Sequence, residues 1–572
     1  MSNNSPQLLD ETDFDVIVLG TGLIDALARA GKKVLHVDSN DHYGSNWSVF
    51  GFKELLRWNQ SQQKDQESLT KKEHNIDYHK NYKENYHNVT FKLYQQPCLP
   101  EGPVIEFDTT TLTEPLSLET ALYDKIKSHI SIDATTDKVL IEESINNEVK
   151  YIINNDLKDK MTINLQPSIS KLTVLLNAMR ASRSYNLDLT PKLLSCNGEL
   201  VEILIRSGVG RYLEFKGVDD IGIYDSEEGR LDRVPSSKQD VFTNKSINLV
   251  DKRKLMRFLT FAIDFDSNPD VLEGNEEMPY IQFLDEKFKI SGKLQTAIIY
   301  AIANVDNQTP TKFGLEQTQA FVRSMGRFSK GGYLCPLYGG GSEIAQAFCR
   351  VCAVFGGVYI LSQELAGFLI DENTGECKGI ETKDGQKFNA NWVVAGIDYL
   401  DKSWVSPSLT DFEKSVSRAI VVTDKPLVSF GENDEMLCYS VFPPGSSAGN
   451  HDKPVLVIHQ NHETMACPRG EYVTYLWKES TQEDQNILEK AIELLLPEDA
   501  HIKFSLFYSQ RSRHITRDDS WNLPKNIIPC SDPSSSLTFE EAIREAMEIF
   551  FQCVPKDTPF MPEQPQDPEE DY

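Results

Sequence analysis

Residues 333–361 read Tyr333-Leu334-Cys335-Pro336-Leu337-Tyr338-Gly339-Gly340-Gly341-Ser342-Glu343-Ile344-Ala345-Gln346-Ala347-Phe348-Cys349-Arg350-Val351-Cys352-Ala353-Val354-Phe355-Gly356-Gly357-Val358-Tyr359-Ile360-Leu361. A glycine-rich turn feeds a helix. The helix stops at a Gly-Gly pair, and a short strand follows. Glu343 and Arg350 lie seven residues apart, two helical turns, and so share a face. They are either two unrelated surface charges or a polar platform for a partner.

The N-terminal segment reads as the matching half. Phe14 to Leu19 is a short run rich in Val and Ile, as in a buried parallel strand. Gly20-Thr21-Gly22 forms the turn after it. A helix from about Leu23 to Ala30 ends at Gly31, and Val34 to Val37 is a second strand ending at Asp38. This is a βαβ opening. In a working dinucleotide site a third glycine stands three residues beyond Gly22. Here that position is Asp25. A carboxylate at a helix N-terminus competes for the N–H groups a phosphate needs, and repels it. Asp38 still offers a ribose-hydroxyl acceptor. The motif Gly20, Gly22, Asp25, Asp38 therefore reads as a degenerate nucleotide site. Its helix of eight residues spans only about 12 Å. No cofactor is expected.

The chain has 572 residues and a formal net charge of −28. That acidity argues against nucleic acid, whose phosphates need clustered Lys and Arg, and against adhesion to anionic membranes. It suits basic or amphipathic protein partners, and equally a plain need for solubility. Met1 to Phe14 is polar and acidic, unlike a signal peptide, and no apolar run reaches membrane-spanning length. The terminal Glu-Glu-Asp-Tyr is no prenylation signal. Ten cysteines lie scattered without a disulfide-framework spacing, which suits a reducing cytosol.

Phe50 to Trp58 has helical periodicity. The stretch 59–100 is dominated by Gln, Lys, Asn, His and Tyr, and reads as a polar insertion that buries little. Residues 104–180 regain apolar periodicity in mixed short elements. Tyr185 to Phe215 reads strand, helix, strand. Lys252–Phe265, Leu294–Ala303 and Leu315–Met325 are helices of a small subdomain, about 250–327. Their apolar residues occupy more than one face, which fits an ordinary bundle core or a groove for a lipid chain. Pattern alone favours the core. Gly367 to Gly396 is a meander. Val421–Cys467 and Glu471–Phe507 add sheet, with a helix near Gln482 to Leu496. Phe539–Cys553 is a terminal amphipathic helix, and the acidic, Pro-rich stretch beyond it reads as a disordered tail.

Cys349-Arg350-Val351-Cys352 is formally C-x-x-C. Both thiols fall mid-helix, however, and no second pair exists for zinc, so buried thiols are the expectation. His74, His79 and His87 lie in the polar insertion as solvated loop residues. No metal site and no nucleophile–base arrangement emerges.

The segments Phe14–Gly22, Lys32–Gly44, Asn186–Phe215, Lys252–Phe265 and Tyr333–Leu361 together resemble the Rab escort protein and Rab GDP-dissociation-inhibitor superfamily. The length, the extra segment between Tyr43 and Tyr185, and the runs Leu189–Leu194 and Arg211–Phe215 resemble the escort branch. The resemblance implies an α/β fold, FAD-binding-like (GDI-type). Its large domain with mixed sheets spans 1–249 and 328–553; a smaller helical domain spans 250–327; a tail spans 554–572. It implies partners: GDP-bound Rab GTPases, the heterodimeric Rab geranylgeranyltransferase, and the geranylgeranyl lipid, with transient delivery to membranes. It maps a Rab-binding platform onto Tyr43, Glu343, Arg350 and Arg183. It puts the lipid site and the transferase contact in the helical subdomain, with Phe283 and Phe288 as contact anchors. The interval between Gly22 and the glycine before the second strand is several residues shorter than in those relatives. A recycling inhibitor is the alternative within the superfamily. A flavin-dependent oxidoreductase is the alternative on fold alone, and Asp25 opposes it.

Overall fold

The computed structural model describes residues 9–20, 26–42, 44–69, 85–97, 105–108, 115–133, 136–156, 162–235, 248–401, 403–405, 415–428, 437–480, 484–515 and 521–563. Gly22, Asp25 and Tyr43 lie outside them, as do His74 and His79.

Asp13–Leu19 is buried along most of its length and pairs in parallel with Val34–Val37 and with Lys387–Gly396. Strands covered on both faces read as continuous apolar runs, which is why this one was legible. The seven-stranded sheet runs Val358–Ile360, Val34–Val37, Asp13–Leu19, Lys387–Gly396, Cys377–Thr382, Leu365–Ile370, with Ile527–Cys530 also beside Lys387–Gly396. The connecting helix Ala26–Arg29 ends at Gly31, whose φ of +78° suits a glycine C-cap.

A second, eight-stranded sheet runs Arg230–Val234, Asp220–Asp225, Cys438–Phe442, Val455–Gln460, Tyr472–Ser480, Ser415–Thr423, Ile502–Arg511, Tyr86–Leu93. Helix Gln485–Leu495 covers one of its faces through Leu488, Ala491, Ile492 and Leu495. Its other face shares one core with the helices of 249–324: Tyr439, Tyr475, Trp477 and Phe504 belong with Phe258, Tyr280, Phe283 and Ile298.

Three expectations are corrected. The 59–100 stretch does bury side chains. Helix Phe52–Leu69 runs on past Trp58, and Tyr86–Leu93 is the edge strand beside Ile502–Arg511. Tyr86 and Val89 are buried, and Tyr86 packs edge-on to Trp58 and Tyr508. The polar residues between them are tolerated because an edge strand is wet on one side. Residues 104–180 hold three full helices, Pro115–Ser128, Lys138–Tyr151 and Gln166–Arg180. The tail is anchored at its start. Met561 is buried beside Phe560, and the Arg206 and Arg29 guanidiniums donate to the carbonyls of Met561 and Pro562. Two apolar side chains in a polar stretch are enough to dock it.

Candidate protein-docking site

The quoted helix spans Gly340–Val354. Ile344, Ala347, Phe348, Val351 and Cys352 face the core, so Glu343 is left half-buried and Arg350 exposed. Cys352 is buried and Cys349 half-buried, without the helix N-terminus a reactive thiol needs. The three glycines before Glu343 each answer to a different neighbour. A methyl on Gly339 would stand 2.3 Å from Val49 Cγ1, on Gly340 2.1 Å from Asp188 Oδ2, and on Gly341 3.0 Å from the Trp47 ring. The chain segment that follows Tyr43 and the strand Leu187–Asp188 thus both press against the first turn of this helix.

Asp188 holds that turn. Its buried carboxylate accepts from the backbone N–H of Thr190 at 2.7 Å and from that of Gly341. A carboxylate at a helix start satisfies orphan donors and the helix dipole together. Burial pushes the Asp188 carboxyl up to about 7, against the pull of Arg418 and Lys192. Burial likewise raises Glu343 above the usual carboxylate range.

Two turns along, the Arg350 guanidinium sits 4.5 Å over the Tyr212 ring. Tyr212 ends the short helix Val209–Tyr212 and is itself exposed. The stacking orients the arginine without consuming its donors. Arg183 is exposed on the short turn Ser182–Ser184. Glu343, Arg350 and Arg183 therefore all reach the surface. Tyr212 was part of a quoted motif but carried no signal of its role.

Phe283 and Phe288 are placed differently from the expectation. Both are buried, in an aromatic cluster with Phe258 and Phe261 whose ring centroids are 5.2–6.3 Å apart. Neither presents a ring to a partner. The buried apolar residues of these helices pack on each other and on the eight-stranded sheet. A cavity of about 620 Å³ opens instead beside these helices, with Tyr300, Ile302, Phe313 and Phe321 from the 298–324 segment and Leu537 and Arg544 from the C-terminal one.

The dinucleotide crevice of such a fold lies outside the carboxyl ends of the parallel strands. Here side chains of the chain fill it. A methyl on Gly20 would stand 2.7 Å from the Tyr399 ring, so that ring lies against Gly20. The Tyr399 hydroxyl donates to Asp38 Oδ1 at 3.0 Å and accepts from the Ser39 N–H at 3.1 Å. Asn40 donates to the same Asp38 oxygen from its backbone and its side chain. The acceptor a ribose would use is thus already taken. Farther along the crevice, Asp398 and Asp532 share the buried Arg513 guanidinium at 2.7 and 2.6 Å. These residues do not fit a bound flavin dinucleotide. Denatured protein is expected to release no flavin absorbance; stoichiometric release would show that Tyr399 yields to a cofactor. Among the described residues no cluster of His, Cys, Asp and Glu is arranged for a metal ion, and no helix is long and apolar enough to cross a membrane.

The chain is similar to known proteins over most of its length. It is 30% identical over 614 residues to Rab proteins geranylgeranyltransferase component A 2 of Mus musculus, covering 96% of each chain. It is 29% identical to Rab proteins geranylgeranyltransferase component A 1 of Homo sapiens, covering 96% of this chain and 91% of that one. Its fold matches the crystal structure of a Rab GDI from Plasmodium falciparum with a TM-score of 0.59 at 18% identity, covering 95% of this chain and 98% of the other. The family model described as GDP dissociation inhibitor matches residues 9–86 and 164–561. The chain belongs to the GDP dissociation inhibitor family.

Proposed function

We propose that the chain acts as an escort for Rab small GTPases. It binds the GDP form through a surface that includes Tyr43, Glu343, Arg350 and Arg183. It presents the GTPase's C-terminal cysteines to a separate heterodimeric geranylgeranyltransferase, shields the attached lipid, and delivers the product to a membrane. It works in the cytosol and supplies no chemistry of its own. The observation that carries this reading is correspondence over 96% of both chains with a geranylgeranyltransferase component A. That span takes in most of 87–163, which the family model leaves unmatched and which holds two of the helices described above.

The physical requirements agree. A polar platform discriminates nucleotide state by reading loops that order only with a γ-phosphate. Exposed lipid costs about 0.8 kcal/mol per CH₂, so an escort needs an apolar shelter. The helical subdomain supplies one when the Phe258–Phe283–Phe288 cluster parts. The transferase meets the outer surface of that subdomain, since Phe283 and Phe288 themselves are interior.

Incubating a Rab GTPase, the transferase and geranylgeranyl diphosphate with this chain is expected to raise lipid transfer well above the reaction lacking it. Equal transfer in both sinks the escort reading. The family description supports a second reading, an inhibitor that recycles already prenylated GTPases. Such a protein binds the prenylated GTPase but not the transferase, so a direct measurement of transferase binding separates the two.

A further inference from the structure

Arg183 and Glu343 are 160 residues apart in sequence, and the segments that carry them are hydrogen-bonded to one shared turn. The short helix His462–Thr464 ends at Met465. On one side the Asn186 amide donates to the Met465 carbonyl at 2.6 Å and the Asn186 N–H donates to the Ala466 carbonyl at 3.0 Å, which ties the turn to the segment carrying Arg183. On the other side the Tyr338 N–H donates to the Thr464 carbonyl at 3.1 Å, and Tyr338 leads directly into the glycines that set Glu343. A partner that spans both segments meets this turn.

Both large side chains at the bridge are turned outward, Tyr338 45% and Met465 40% exposed. Both also sit on left-handed backbone, with φ of +62° and +59°. Bulky residues rarely adopt that region; a helix end of this kind ordinarily carries Gly or Asn. Packing does not explain them, since neither is buried. Such outliers persist where the surroundings over-determine them, and they gather at binding sites. Tyr and Met are also side chains enriched at the centres of protein interfaces, where an apolar patch is ringed by charge. The charged side chains carried by the joined segments are Arg183 on one side and Glu343 and Arg350 on the other.

We propose that Met465 and Tyr338 form the apolar centre of the surface that receives the GTPase, against an apolar patch on that partner, with the charged residues as its rim. The proposal rests on the Rab-binding reading above. Continuity with the platform chooses the occupant: the surface that meets the transferase belongs to the helical subdomain.

Asparagine tolerates left-handed backbone, so Met465→Asn and Tyr338→Asn remove the apolar side chains while relieving strain. The melting temperature is expected to hold or rise. The Kd for a GDP-loaded Rab GTPase, measured by fluorescence titration, is expected to weaken about tenfold for each. Glu343→Ala and Arg350→Ala are titrated in parallel. If these weaken binding and the Asn variants do not, the proposal is overturned and the platform stands. If only the Asn variants weaken binding, the apolar centre stands and the charged platform is wrong. If none of the four changes the affinity, both fail. Should the Asn variants melt early, the Gly variants at the same two positions replace them and are judged by the same criteria.

Discussion

Replacing Arg513 by alanine is expected to destabilise the protein by about 3–5 kcal/mol, seen as a lower urea midpoint. The guanidinium is the buried cation between two buried carboxylates. Its Nη2 donates to Asp398 Oδ1 at 2.7 Å, to Asp532 Oδ1 at 3.0 Å and to Asn85 Oδ1 at 2.8 Å, and its Nε donates to Asp532 Oδ2 at 2.6 Å. Asn85 also donates to Asp398, and Asn46 donates to Asp532 at 3.4 Å. Asp398 follows strand Lys387–Gly396 and Asp532 follows strand Ile527–Cys530, both in the seven-stranded sheet. Arg513 follows Ile502–Arg511 of the other sheet, and Asn85 precedes its edge strand. One side chain therefore locks the two sheets together across the crevice. Removing it leaves two carboxylates facing each other in a dry site, where at least one must take up a proton. Arg513→Lys is expected to recover only part of the loss, because an ammonium cannot reproduce the forked geometry. A change below about 1 kcal/mol for the alanine variant would show that the carboxylates find water or other donors.

The second large effect is expected at Gly339. Its φ of +107° and ψ of 96° lie outside the regions open to residues with a Cβ. Alanine there costs about 1–3 kcal/mol in backbone strain alone. The added methyl also meets Val49 at 2.3 Å, so the residue pushes the helix Gly340–Val354 away from the segment that follows Tyr43. Affinity for the GDP-loaded GTPase is expected to fall about tenfold or more, beyond the loss from Glu343→Ala, because the whole first turn moves. Val49→Ala in the same chain relieves the collision and not the dihedral. A partial recovery in that double variant separates steric displacement from strain. Unchanged affinity in Gly339→Ala would show that the register of this turn does not set the docking surface.

Much of the scaffold was legible because its determinants are local. The Val- and Ile-rich run Phe14–Leu19, the glycine stops at Gly31 and Gly356, and the helical spacing of Leu255, Phe258, Leu259 and Ala262 each follow from a few neighbouring residues. The misread regions depend on distant ones. Tyr86 and Val89 look like stray apolar residues in a polar stretch until Ile502–Arg511 supplies the other half of the ladder. Phe560 and Met561 look like part of a loose tail until the Arg206 guanidinium donates to both their carbonyls. Phe283 and Phe288 look available to a partner until Phe258 and Phe261 close over them.

The sequence by itself determined the fold class and the shared helix face of Glu343 and Arg350, because backbone periodicity is a property of short segments. Only the tertiary structure decided what fills the crevice and which turn joins the segments carrying Arg183 and Glu343. Tyr399 against Gly20, Arg513 on Asp398, and the turn at Met465 bonded to Asn186 and Tyr338 join residues more than 100 positions apart. No local pattern encodes such meetings; they arise where the two sheets and their connecting turns pack against each other.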